Sequence, residues 1–347
     1  DGTVLPASVA TGLDFTFNSI TVGKGANSVA GNTVLGEEAL DAAVTGGNNV
    51  AIGKAALSAN TSGNQNIAIG RNALLVNTTG IYNVGIGDST LANNTTANNN
   101  VAVGQSALVL NTTGTRNTAV GSFALDANTT GSHNVAVGAG ATLSANTSGI
   151  YNVAIGDSAL SANTTANQNV AVGFGALLTN TTGAGNTGLG YSALFSSTTS
   201  SNNTAVGNLA LYANTTGASL TAVGANALDA NTTGTAACAF GKDALGAHTT
   251  GDKNSAFGSN AAAATTTGIK NSAFGAFALA LNTSGDQNTA IGRSALNNNT
   301  TADGNTAVGD AALGANTTGT SNVAVGANAL DANTTAHENT AVGHNAL

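Results

Sequence analysis

The chain has 347 residues, of which 7% are charged and 4% are aromatic, with 46 Gly, one Pro, one Cys and no Met or Trp. Ordinary globular domains use far more charge and more large side chains, so this composition argues against two or three conventional domains. Scarce charge and Pro disfavour disorder, and the Gly content is less than half of what collagen requires. The net charge of −8 disfavours nucleic-acid binding, which normally needs a basic surface.

The single cysteine, Cys238, excludes an intramolecular disulfide and a Cys-rich zinc site. The sequence contains no run of 18 apolar residues that would predict a membrane span, and no signal peptide is recognisable. Because the chain contains no Met, we do not expect Asp1 to be a translation start. We expect either that a leader or N-terminal region was removed or that the chain is part of a longer product.

Residues 1–31 do not follow the period of the rest of the chain, and they contain the alternating run Leu13-Asp-Phe-Thr-Phe17. We predict that segment 1–31 is an N-terminal cap or a connection to another subunit. Gly23-Lys24-Gly25 lacks the full spacing of a phosphate-binding loop and is predicted to be a turn.

Segment 32–347 is a repeat domain in which the motif Asn117-Thr-Ala-Val-Gly121 recurs nineteen times with small changes. All but one of the steps between the motif glycines are 17 residues, and the step from Gly138 to Gly156 is 18. We number the repeat positions 1 to 17 from residues 117–133.

The repeat positions differ in how much they vary. Position 1 is Asn in all copies but two, which carry Leu220 and Ala237, and position 4 is always Val, Ile, Leu or Phe. Positions 8 and 9 are usually Ala-Leu, and positions 12 to 15 are typically Asn-Thr-Thr-Gly. Seventeen residues are too few for a helix pair, and Gly, Asn and Thr are weak helix formers.

A β structure fits this pattern better. Positions 2 to 4 predict a short strand, and Gly at position 5 predicts a bend with positive φ. Positions 7 to 10 predict a second short strand that buries Leu, and positions 12 to 15 predict a turn. The predicted fold class is therefore all-β, a parallel β-solenoid or β-roll of about nineteen 17-residue rungs. At ~4.8 Å per rung this would be a rod about 90 Å long.

Stacked rungs place like residues on like. We predict that the aliphatic residues of positions 4 and 9 form ladders that fill the core, and that inward Asn ladders form at positions 1 and 12. Such a narrow interior buries little per rung, and the first strand is largely apolar on both faces. We therefore expect a second apolar face to be buried between chains.

Three segments carry a family resemblance: Asn254-Ser-Ala-Phe-Gly258, Asn169-Val-Ala-Val-Gly173 and Asn66-Ile-Ala-Ile-Gly70. They resemble the head repeats of trimeric autotransporter adhesins, which are trimers of left-handed parallel β-rolls. The longer phrase, from Asn-Thr-Ala-Val-Gly through Ala-Leu to Asn-Thr-Thr-Gly, is similar to repeats of phage tail fibres and other virion proteins. The resemblance covers roughly residues 20–347 and implies a homotrimer, although the adhesin-head period is usually shorter.

The titratable residues do not predict a site. The four His, which are His133, His248, His337 and His344, fall at four different repeat positions, so no two share a ladder. Asp recurs at position 6 in Asp88, Asp157 and Asp310, and at position 10 in Asp41, Asp126, Asp229 and Asp331. We interpret these as isolated, solvated carboxylates, because calcium-binding β-rolls use a different Gly- and Asp-rich repeat. No catalytic, cofactor-binding or metal-binding residues are predicted, and binding residues are unknown.

The aromatic residues are the exceptions within the repeat. Phe240, Phe257 and Phe274 occupy position 4 of consecutive rungs and predict a stack of rings, interpreted as repacking of the core rather than as a change in cross-section. Cys238 is predicted to be a buried small hydrophobe. Ile81-Tyr82 and Ile150-Tyr151 lie in turns, where they would contact glycans or partners, or else pack between chains.

These observations predict a structural and adhesive fibre rather than an enzyme. We expect it to project from a cell surface or a virion and to mediate attachment to a glycan or protein, with no cofactor, nucleic acid or membrane insertion. Asn-Thr-Thr and Asn-Thr-Ser sequons recur too densely for glycosylation of every copy, which favours a prokaryotic or viral origin. The alternatives are a filament assembled end to end and, less favoured, an ice-binding solenoid with Thr ladders or an enzymatic solenoid.

Overall fold

The computed structural model describes residues 14–347, which divide into two compact units, the first ending at Gln168 and the second comprising Asn169–Leu347. Leu13 and the preceding part of the predicted N-terminal segment lie outside the described residues. Each unit is a parallel β-solenoid of 17-residue turns, so the predicted fold class is confirmed.

The first unit begins with two antiparallel strands. Strand β1 (Phe15–Phe17) pairs with β2 (Ile20–Gly23) across a tight turn at Asn18 and Ser19, both with positive φ, and a 3-10 turn follows at Ala26–Ser28. Strand β2 then pairs antiparallel with β3, the first of the regular strands. The regular strands of this unit are β3 (Thr33–Gly36), β4 (Val50–Ile52), β5 (Ile67–Ile69), β6 (Val84–Ile86), β7 (Val101–Val103), β8 (Thr118–Val120), β9 (Val135–Val137) and β10 (Val153–Ile155).

The second unit contains the same short strand once in every turn. Its strands are β11 (Val170–Val172), β12 (Thr187–Leu189), β13 (Thr204–Val206), β14 (Thr221–Val223), β15 (Cys238–Phe240), β16 (Ser255–Phe257), β17 (Ser272–Phe274), β18 (Thr289–Ile291), β19 (Thr306–Val308), β20 (Val323–Val325) and β21 (Thr340–Val342). From β3 onward, neighbouring strands within each unit pair in parallel and without a shift, so position 2 faces position 2 of the next rung.

The predicted second strand is wrong. Within residues 14–347, positions 7 to 10 form a turn in which positions 7 and 9 have left-handed backbone, as at Phe123 (φ 58°) and Leu125 (φ 54°). This conformation costs a residue with a side chain about 1–2 kcal/mol. Hydrogen bonds between rungs offset the cost: Phe123 N–H donates to the Gln105 carbonyl on one side, and Leu125 N–H donates to the Thr142 carbonyl on the other.

Glycine at position 5 is required for two reasons. At Gly104 φ is 128°, which residues with a side chain rarely adopt. A Cβ at this position would also lie 2.5 Å from the carbonyl oxygen of Gly121 in the next rung. The predicted bend is confirmed. The glycine at position 15 does not adopt positive φ, as Gly131 shows.

The strand turns its middle residue inward, which corrects the prediction for position 4. Ala119 at position 3 is fully buried, whereas Val120 at position 4 is 37% exposed. The core column beside it is the Ala-Leu pair of positions 8 and 9, exemplified by Ala124 and Leu125, and the burial of the Leu is as predicted. Because the strand has only three residues, one inward residue leaves both of its neighbours facing outward.

Two inward Asn ladders line the remaining wall, as predicted. At position 12, Asn128 Nδ2 donates to Asn111 Oδ1 (2.8 Å) and to the carbonyl of Gly131 (3.0 Å). At position 1, Asn117 Nδ2 donates to the same Gly131 carbonyl (2.8 Å), and Asn117 Oδ1 accepts the N–H of Asn134 in the next rung (2.9 Å). The buried amides therefore satisfy the backbone at position 15 and also each other.

Candidate functional site

The outward strand face is formed by positions 2 and 4 of every rung, and it is apolar at both positions along most of the first unit and at position 4 in the second. In the first unit it includes Leu35, Ile86 and Ile155, which are 45%, 37% and 40% exposed. The face continues onto the β1–β2 hairpin because Val22, opposite Leu35, is 46% exposed. In the second unit the position 4 column includes Leu189 (44%), Ile291 (43%) and Val325 (37%). Continuous apolar columns of this kind typify an interaction surface.

The predicted stack of Phe240, Phe257 and Phe274 is present, but it does not lie in the core. Adjacent ring centroids are 4.8 Å apart with interplanar angles of 7° and 6°. Phe240 and Phe274 are 37% and 38% exposed, because position 4 faces outward. The same geometry corrects Cys238, which is half-buried on the outward side at position 2.

The tyrosines predicted in turns are exposed, Tyr82 by 49% and Tyr151 by 52%. Both lie at position 17, where the backbone is left-handed and carries the side chain outward. The ring of Tyr151 stacks on His133 of the preceding rung, with centroids 4.8 Å apart.

Sequence reasoning missed a second group of exposed rings. The aromatic edge is formed by Phe174 and Tyr191 at position 6 and by Phe195 and Tyr212 at position 10. Phe174 stacks on Tyr191 (5.5 Å), and Phe195 stacks on Tyr212 (5.2 Å). Aligning the repeats column by column would have revealed both pairs, since each pair occupies one position in consecutive rungs.

The carboxylates do not all behave as isolated, solvated groups, so that interpretation was wrong for several of them. At position 6, Arg71 pairs with Asp88 and Arg293 with Asp310, each at 2.8 Å across one rung step. The Arg71 guanidinium lowers the pKa of Asp88. At position 10, burial raises the pKa of Asp126, whose Oδ1 has no hydrogen-bond partner, and burial also raises the pKa of Asp229.

Position 16 has a role that the sequence did not suggest. Where position 16 is Asn, Asp, Ser or His, its side chain accepts the N–H of the same position in the preceding rung. Asn98 Oδ1 accepts from Ile81 (2.7 Å), and Asp252 Oδ1 accepts from both the N–H and the hydroxyl of Thr235 (2.7 and 2.8 Å). These bonds lower the pKa of Asp252. Position 16 side chains therefore cap backbone groups.

The four His occupy four different positions of the repeat, and one of them, His248, is fully buried. His248 replaces Asn at position 12, where Nδ1 lies 2.9 Å from Asn231 Oδ1 and Nε2 lies 3.1 Å from Asn254 Nδ2. These partners require a neutral ring that donates from Nδ1 and accepts at Nε2. Burial lowers the pKa of His248 to about 4, against an opposing effect of Asp252.

The Thr columns of positions 13 and 14 differ in how their hydroxyls are used. At position 13 the hydroxyl donates to a carbonyl of the next rung, as from Thr112 to Thr129 (3.0 Å). At position 14 the side chain is exposed, as at Thr113. Position 14 therefore presents the more exposed side chain of the two adjacent columns, as the pair Thr112 and Thr113 shows.

Among residues 14–347, no three His, Cys, Asp or Glu side chains group closely enough to hold a metal ion. The same residues contain no helix with the length and apolar character of a membrane span. A scan against models of known protein families finds no match, and a search of curated proteins finds no significant match.

Proposed function

We propose that this chain is a structural and adhesive fibre protein, homotrimeric and located outside the cell or on a virion. It mediates attachment to a surface glycan or protein. The observation that carries the proposal is the outward strand face, which is apolar at positions 2 and 4 in the first unit and at position 4 in the second, in a chain that otherwise stacks polar side chains at its turns.

Self-association explains why this face is apolar. Burial of apolar side chains is the main favourable term in association, and columns that repeat at every rung allow copies of one chain to meet in register. The proposal that the oligomer contains three chains rests on the resemblance to trimeric adhesin heads. Low charge, a single cysteine and no Met suit a durable fibre exposed outside the cell.

Sedimentation equilibrium of the purified chain tests the assembly. We expect a discrete trimer, and the double variant Ile86→Lys/Val120→Lys should sediment as a monomer because it places charges in the apolar columns. The matched control Thr96→Lys/Thr130→Lys places the same charges on exposed turn residues and should stay trimeric. A compact monomer of the unmodified chain would overturn the proposal, and long polymers would favour end-to-end filaments instead.

Attachment is tested separately by binding the fluorescently labelled trimer to panels of bacterial and animal cells. Saturable binding that unlabelled protein displaces is the expected result. Absence of saturable binding to every cell type would remove the adhesive part of the proposal and leave a structural role.

A further inference from the structure

The aromatic edge of the second unit has a shape that the rest of the repeat lacks. Phe174, Tyr191 and Tyr212 are 50%, 53% and 38% exposed, although each ring stacks on a neighbour. Phe195 packs against the rung that carries Phe174, because its ring is 3.4 Å from the place that a Cβ on Gly175, the residue after Phe174, would take. Glycine at position 7 thus makes room for a ring from position 10 of the next rung.

The stacks are offset by one rung, which produces a step. The position 6 stack ends at Tyr191, and the next residue in that column is Asn208, in the rung that carries Tyr212. The two rungs are joined here by the bond from Leu209 N–H to the Tyr191 carbonyl (3.0 Å). Tyr191 stacks on Phe174 on one side, whereas the shorter Asn208 follows it on the other side, so no ring of its own column covers that face. Tyr212 lies four positions after Asn208 in the same rung.

We propose that this step binds a hexopyranose ring of a neutral glycan. A pyranose has a flat face of C–H groups, which packs on an aromatic ring, and a rim of hydroxyls that hydrogen-bond to phenol and amide groups. Tyr191 would supply the ring face, and Tyr212 and Asn208 the polar groups. Positions 6 and 10 of the three rungs from Asn169 to Gly217 carry no charged residue, which fits an uncharged ligand.

The size of the edge favours a sugar over a protein. An aromatic side chain offers 150–250 Å², so the exposed fractions of these rings amount to roughly 300 Å². A stable protein interface needs about 800 Å² on each partner. The exposed area corresponds instead to one or two sugar rings. This inference rests on the proposed attachment role and names the ligand class for it.

The experiment uses the full chain with neutral hexasaccharides of glucose, mannose, galactose and N-acetylglucosamine. Binding is followed by saturation-transfer NMR and by tyrosine fluorescence, which is informative because the chain has four Tyr and no Trp. We expect one or more of these sugars to bind, and Tyr191→Ala/Tyr212→Ala to weaken that binding at least tenfold. Asn208→Phe should weaken it similarly by filling the step, without removing any ring.

The matched control is Phe123→Ala/Phe277→Ala, which removes two exposed rings (46% and 48%) outside the aromatic edge and should bind sugar normally. The proposal is overturned if none of the hexasaccharides binds the unmodified chain, or if the Tyr191/Tyr212 variant binds as well as the control. Cell attachment that survives in this variant would also overturn it, while leaving the attachment role intact. An unmodified chain that attaches to no cell would instead refute the attachment role.

Discussion

The two units share one backbone repeat but differ in the side chains they present outward. In the first unit, position 2 is Val or Ile in six of eight rungs, so both outward columns are aliphatic. In the second unit, position 2 is Thr or Ser in eight of eleven rungs, and position 4 includes the three stacked Phe. The backbone hydrogen bonds between rungs do not depend on outward side chains, so these columns are free to diverge.

The inner columns differ as well. In the first unit the position 12 ladder is unbroken from Asn60 to Asn163. In the second unit it is interrupted at Ser197, His248 and Thr265. An inward substitution is therefore tolerated when its hydrogen bonds are rebuilt, and the three interruptions do this to different degrees.

Ser197 and His248 are compensated, whereas Thr265 is not. Ser197 is accompanied by Ser200 at position 15, and their hydroxyls lie 2.6 Å apart while Ser200 accepts from Asn203 and Asn214. The two ring nitrogens of His248 take the place of an amide. The buried Oγ1 of Thr265 has no partner, which leaves a polar group without compensation.

Exchanging the position 12 residues between units should have the largest effect. Asn128→Thr places the residue type of Thr265 in the regular ladder. It removes the hydrogen bond from Asn128 Nδ2 to Asn111 Oδ1 and the one from Asn146 Nδ2 to Asn128 Oδ1. We expect a loss of about 3 kcal/mol in the free energy of unfolding, and a gain of about 1 kcal/mol for Thr265→Asn. Denaturant titration measures both. The exposed Asn93→Thr is the control, and equal losses for Asn128→Thr and Asn93→Thr would refute a structural role of the ladder.

Mild acid should weaken the second unit selectively. Because the pKa of His248 is about 4 when folded and ordinarily 6.5, the unfolded chain binds a proton that the folded chain does not. The stabilising contribution is complete above pH 6.5 and is lost as pH falls towards 4, by about 3 kcal/mol in all. Hydrogen exchange should show that the region around His248 opens faster at pH 4.5 than at pH 7, after correction for the intrinsic exchange rate at each pH.

The replacement His248→Asn should remove this pH dependence, while His133→Asn, at a position that is not buried, should preserve it. Equal acid sensitivity of all three chains would show that other groups cause the effect.

The ring stack provides a smaller test of the outward columns. Phe257→Val gives the second unit a position 4 residue of the first unit and removes two ring contacts. We expect a loss of about 1 kcal/mol by denaturant titration. Val120→Phe, which has no aromatic neighbour in its column, should bring no matching gain. A gain as large as that loss would mean that ring area alone, and not stacking, stabilises the column.

The ion pairs at position 6 should matter least, and equally in both units. Arg71 and Arg293 are exposed and pair with carboxylates one rung away. Since solvent and salt screen such pairs, Arg71→Gln and Arg293→Gln should leave the melting temperature unchanged. A clear drop that disappears in 1 M salt would show that these pairs do contribute.

Much of the core was predictable from the variation within the repeat, but one column was assigned to the wrong side. Position 3 is nearly always Ala or Gly, while position 4 ranges in size from Val to Phe. Only a residue facing outward can vary so widely without disturbing a close-packed interior. Hydrophobicity favoured Val120 as the core residue, whereas the narrow range of side-chain sizes at position 3 would have indicated that Ala119 is the buried one.

The aromatic edge and the caps at position 16 were harder to predict. Phe195 packs over Gly175 because a glycine leaves room for its ring, and this contact depends on how far apart positions 7 and 10 of adjacent rungs lie in the folded structure. Asp252 looks like a surface carboxylate in the sequence, yet it holds the backbone of Thr235.

The sequence by itself determined the 17-residue period, the parallel stacking of like on like and the two amide ladders. In a regular repeat array each rung packs mainly on the adjacent rungs, so these features follow from the period alone. The tertiary structure decided which side of the strand faces inward and how the Leu segment closes the rung. At Leu125 a left-handed turn replaces the expected strand, because bonds to both neighbouring rungs and complete burial of the Leu side chain compensate for an unfavourable backbone.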